Sequence, residues 1–156
     1  MSGTVPTDLV EALARQVVAD VSPAELPLFS ATAARYRADP GGTLAPARGR
    51  DDALGFGAEA AVLLITPFAL DLAKRVLLRL FDRLGDSAAD GLAARVGGWL
   101  SGGRHEQSAP AVEPLTPEQL RLVADTARAE ASGLALPPDQ SERLADAIVA
   151  TLATGP

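Results

Sequence analysis

The sequence predicts an all-α fold, a bundle of about five or six helices that ends in an αα-hairpin. Three observations predict it. Apolar residues recur at three- and four-residue spacing along most of the 156-residue chain, and no stretch alternates as a half-buried strand does. Helix-start signals stand ahead of apolar runs at Asp8…Glu11, Ser22-Pro23…Glu25 and Thr116-Pro117…Gln119. Aromatic residues make up only 4% of a chain that is 47% hydrophobic, so the core must be mostly Ala, Leu and Val, which suits closely packed helices.

The first helix is expected over 8–20, capped by Asp8, with Leu9, Val10, Leu13, Val17 and Val18 as its apolar stripe. The second follows Ser22, with Pro23 in its first turn and Glu25 as the reciprocal carboxylate of a capping box. Pro27 removes a further amide, which tightens or restarts that turn. Leu28, Phe29, Ala33 and Tyr36 are expected to share a face. Asp39-Pro40-Gly41-Gly42 ends the helix, because proline disfavours a helical residue before it. Residues 41–50 read as a loop, and a third helix begins near Asp51.

The stretch GFGAEAAVLLITPFALDL, residues 55–72, poses the main question. On a helical wheel Leu54, Phe56, Val62, Leu63, Leu64 and Ile65 cover nearly every direction, so the segment belongs at the centre of a bundle or in lipid. The uncharged run 60–70 is about half of the ~20 residues needed to span a bilayer. Extending it back includes Glu59, and a mid-span carboxylate costs roughly 2.5–3.5 kcal/mol on insertion scales. A buried helix is therefore the favoured reading. Pro67 should kink or split the helix, or with Thr66 begin a new one. Beyond it Leu72, Val76, Leu77, Leu80 and Leu84 gather on one side, opposite Asp71, Arg75, Arg79, Asp82 and Arg83.

A fourth helix is expected over 87–100, weakened by Gly91, Gly97 and Gly98. Residues 101–114 read as a flexible linker rich in Gly, Ser and Pro. Thr116, Pro117 and Gln119 open the next helix, and Gly133 closes it as a C′ residue. After the turn LALPPDQ the last helix runs over 138–152. Leu120, Val123 and Ala127 are expected to meet Leu144, Ala147, Ile148 and Leu152 across an αα-hairpin. The expected organisation is thus a bundle over 1–100, the linker 101–114, and a hairpin over 115–156 that either docks or moves freely.

Composition excludes several function classes. A net charge of −6 argues against broad nucleic-acid binding, which needs a basic face, and no polybasic segment addresses anionic lipid. The absence of cysteine excludes thiol nucleophiles, disulfides and zinc–thiolate sites. With one histidine, His105, neither a His-based triad nor a multi-histidine metal site can be built, and His105 reads as a solvated linker residue. Asp51 and Asp52 read as helix-start carboxylates favoured by the helix dipole. Gly55-Phe56-Gly57 imitates the front of a dinucleotide fingerprint but lacks the preceding strand. Glu59 is expected to pair with Arg35 or Arg37, or to face water. Neither a basic n-region nor an apolar h-region stands at the start of the sequence, so the expected location is cytoplasmic, or peripheral at the inner face of the membrane.

The segments SPAELPLFSATAARYRADP, DDALGFGAEAAVLLITPFAL and LTPEQLRLVADTARAEASGLALPPDQSERLADAIVATL resemble a family of small all-helical actinobacterial proteins. The resemblance implies a place beside bacterial defence or conflict genes and carries no activity onto any residue.

The functional expectation is a non-enzymatic protein-interaction module, an adaptor or regulator with no cofactor and no metal. It engages a protein partner or a second copy through Leu72, Val76, Leu80, Trp99, Leu120, Leu144 and Ile148. Trp99, the only tryptophan, can equally close the edge of a core. The alternative is a membrane-associating protein acting through residues 54–84. A small-molecule substrate is the least supported partner.

Overall fold

A computed structural model of the chain describes residues 7–39, 65–100, 115–134 and 136–154, giving only the backbone course of 84–90, 92–100 and 154. The described residues form an all-α fold with no strands. Helix α1 spans Thr7–Val21. A 3-10 helix, Pro23–Leu28, leads directly into α2, Phe29–Ala38. Helix α3 spans Thr66–Leu100, α4 Pro117–Ser132 and α5 Pro138–Thr154.

The 3-10 turn is where the local signals are redirected. Ser22 makes no side-chain cap hydrogen bond, and Glu25 does not return to it. With Pro23 and Pro27 both lacking amide hydrogens, the segment winds as a tight 3-10 turn and the α-helix restarts at Phe29. Phe29, Ala33 and Tyr36 go into the core as expected, but Leu28 sits at the junction of the two helix types and is 54% exposed.

Helix α3 begins at Thr66, with Pro67 in its first turn, where a missing amide costs nothing. The nine residues from Ile65 to Ala73 are all buried, so the helix enters the bundle covered on every side. From Lys74 onward it becomes two-faced: Val76, Leu77 and Leu80 are fully buried, while Lys74, Arg75, Leu78, Arg79, Asp82 and Arg83 face solvent. For its described part, 65–72, the apolar stretch is therefore core. Asp71, expected on the solvent face, is buried because a core hydroxyl meets it. The expected break before residue 87 does not occur, and α3 runs unbroken through Gly85 to Leu100. A glycine costs about 1 kcal/mol in a helix and, unlike proline, blocks no hydrogen bond, so it weakens the helix without ending it.

The C-terminal hairpin is docked. Val123, Ala127, Leu144, Ile148 and Leu152 belong to the same buried cluster as Leu13 and Val17 of α1 and Leu77 of α3. Helix α4 packs on α3, and α5 packs on α1 and α3. The α4 cap forms as the sequence indicates. The Gln119 N–H donates to Thr116 Oγ1 (3.1 Å), and the Thr116 N–H donates to Gln119 Oε1 (2.9 Å). At the other end Gly133 stays right-handed, with φ −84°, and the helix closes through tight bonds from the Gly133 and Leu134 amides to Glu130 and Ala131.

Candidate functional site

The residues expected to meet a partner lie mostly inside the fold. Leu72, Val76, Leu80, Leu144 and Ile148 are all fully buried, packed among α1, α3, α4 and α5, because each apolar stripe finds its complement within the chain. Reaching a partner through them would require the bundle to open. Leu120 is half-buried at the start of α4. Trp99 lies in α3, but its side chain is outside the described residues, as are Asp51, Asp52, Gly55, Gly57, Glu59, His105 and the 101–114 linker.

One surface open to a partner is the outer face of α3. Its exposed residues fall in two rows four residues apart, Lys74–Leu78–Asp82 and Arg75–Arg79–Arg83, neighbours one turn apart on the helix. Leu78, 36% exposed, is the apolar member of this patch, and four of the other five are basic. In a chain of net charge −6 this is a concentration of the minority sign.

A chain of polar contacts fixes that face. The Tyr36 hydroxyl of α2 donates to Asp71 Oδ1 at 2.8 Å. Asp71 Oδ2 lies 2.9 Å from Arg75 Nε, an ion pair without hydrogen-bond alignment. Arg79 Nε donates to Glu130 Oε1 of α4 at 3.1 Å, and Arg75 Nη1 stands 4.0 Å from Glu130 Oε2. Burial and the neighbouring Asp71 carboxylate push the Tyr36 hydroxyl far above its ordinary pKa of 10.0, so the phenol stays neutral and acts only as a donor. Arg37, one of the two arginines considered for Glu59, pairs with Glu11 of α1 at 3.1 Å.

A second polar cluster, invisible to local pattern reading, lies at the start of α3. The Ile65 N–H donates to Glu25 Oε2 at 3.1 Å, and the Thr66 N–H and hydroxyl both donate to Glu25 Oε1 at 3.0 Å. The carboxylate of the 3-10 turn thus caps a helix that begins 41 residues later, satisfying orphan donors and meeting the positive end of the helix dipole.

Among the described residues, no group of three or more His, Cys, Asp or Glu side chains could hold a metal ion, and no helix is long and apolar enough to cross a membrane. No family model matches the chain, and neither a curated protein nor a solved structure matches it.

Proposed function

We propose that the protein is a helical protein-interaction module, an adaptor or regulator that engages a partner through the outer face of α3. The observation that carries this reading is Leu78, exposed within a ring of Lys74, Arg75, Arg79 and Arg83 on a chain whose overall charge is −6. The matching partner is an acidic amphipathic helix, whose apolar residue covers Leu78 while its carboxylates face the arginine row. The Tyr36–Asp71–Arg75 and Arg79–Glu130 contacts hold that row in place before the partner arrives, which lowers the ordering cost of binding.

Site-specific photo-crosslinking in producing cells tests the reading. A photoreactive residue in place of Leu78 should give one defined adduct, and the adduct should weaken when Arg79→Glu is added. The same group in place of Arg121, exposed on α4, should give none. Equal labelling from both positions, or none from position 78, overturns the proposal. The membrane alternative draws less support, because the apolar side chains from Ile65 to Ala73 are already covered by the bundle. Flotation of folded, detergent-free protein with liposomes would reverse that ranking.

A further inference from the structure

An open cleft of ≈ 280 Å³ lies between α1, α2 and α3, and Lys74 belongs both to its rim and to the exposed α3 patch. Its lining comes from all three helices: Thr7, Val10 and Glu11, then Ala33, Tyr36 and Arg37, then Leu70 and Lys74. Val10, Ala33 and Leu70 are buried apolar side chains, and they make its floor. The Tyr36 hydroxyl is committed to Asp71, so this residue contributes its ring. The polar groups at the rim are unequal in sign. Glu11 Oε1 is closed to solvent and lies 3.1 Å from Arg37 Nη1, an ion pair without hydrogen-bond alignment. A guanidinium has five N–H donors, so Arg37 keeps donors beyond that pair. Lys74, the only lysine in the chain, is exposed and makes no ion pair with a described residue. The cleft therefore couples an apolar floor to two cations with spare donors, in a protein that is otherwise acidic.

We propose that this cleft binds a small molecule with one anionic group and a short apolar body. Lys74 and Arg37 hold the anion, and the body lies on Val10, Ala33 and Leu70. The volume is slightly below the range of ~300–1,000 Å³ usual for ligand pockets, which suits a short-chain carboxylate or a small organic phosphate monoester. Charge-assisted hydrogen bonds give the anion its preference, and apolar contact gives selectivity for a chain over a bare ion.

Two-dimensional NMR of the full chain, titrated with acetate, hexanoate, hexanol, phenyl phosphate and inorganic phosphate, tests this. Hexanoate or phenyl phosphate should give saturable shifts centred on Val10, Ala33, Tyr36 and Leu70. Each of these two should bind about tenfold more tightly than acetate and inorganic phosphate respectively, and hexanoate more tightly than hexanol. Lys74→Gln removes an exposed side chain and leaves the bundle intact, and it should weaken hexanoate about tenfold. Arg37→Gln should weaken it further, with far-UV circular dichroism unchanged. Absence of saturable shifts at millimolar ligand overturns the proposal. So does hexanol binding as tightly as hexanoate, or hexanoate binding unaltered in Lys74→Gln. The readout needs no protein partner, so its result stands apart from the fate of the α3 docking surface.

Discussion

At the scale of single residues, two buried polar groups dominate. Glu25 satisfies three donors at the start of α3, so removing it leaves buried amides without partners. Glu25→Ala should lower the unfolding free energy by about 3 kcal/mol, and Glu25→Gln, which keeps one acceptor oxygen, by about 1 kcal/mol. Urea unfolding of both variants checks this, and an equal loss in the two would point to packing instead of hydrogen bonding. Tyr36 gives a pH prediction. Its folded pKa lies above the unfolded value, so its contribution to stability is complete below pH 10.0 and is lost as the pH rises beyond it. Because Tyr36 is the only tyrosine, phenolate absorbance reports it alone, and that absorbance should appear above the ordinary range and together with loss of helix. The legibility of such residues follows sequence distance. The Thr116–Gln119 box spans three positions and could be read directly. Glu25 carries the same kind of signal beside Ser22, but its partners are 40 and 41 residues away, and nothing local distinguishes the two uses.

At the scale of elements, α3 holds most of what the sequence left open. Its described apolar stripe is core, so Leu80→Ala should cost roughly 3 kcal/mol of stability, within the range for a leucine truncated inside a packed interior. Thermal unfolding gives the value, and a neutral outcome would mean that the stripe is not buried in solution. Gly91 offers the opposite test. It is exposed within α3, and a Cβ added there would meet nothing within 4 Å. Gly91→Ala should therefore stabilise the protein by about 1 kcal/mol through helix propensity. An unchanged or lower melting temperature would show that another element approaches that position. The amphipathic pattern of 72–84 was legible because Leu72, Val76, Leu77, Leu80 and Leu84 recur at three- and four-residue spacing, which a two-residue period does not produce. What pattern alone did not settle was the continuation through Gly85, since a weak helix former is not a terminator. Nor did it separate a stripe that seeks a partner from one that finds its partner in the same chain. Both have the same period, and only the tertiary packing tells them apart.

For the whole molecule, the central fact is a single core that α1, α3 and the α4–α5 hairpin share. Local signals gave each helix of the hairpin and even its cap, yet whether it docks depends on surfaces more than 100 residues apart, such as those that put Leu13, Leu144 and Ile148 in one cluster. Cooperative unfolding follows from that sharing. Far-UV circular dichroism and fluorescence of Trp99 should give coincident denaturation curves, and two resolved transitions would indicate a hairpin that unfolds separately. The small-residue composition also has a visible result: Ala14, Ala69, Ala73 and Ala127 are completely buried, which places helices close together without large aromatic side chains.

The carboxylate clasp between the 3-10 turn and α3 has a further consequence, for the order of events in folding. Helices α4 and α5 can form and pair through contacts between neighbours in sequence, which close quickly. The start of α3 is completed only when Glu25 arrives from 40 residues upstream, so a loop must first be closed at a cost in chain entropy. The clasp therefore belongs after the rate-limiting barrier. Glu25→Ala should accelerate unfolding and leave the refolding rate almost unchanged, so the clasp acts chiefly on the lifetime of the folded state.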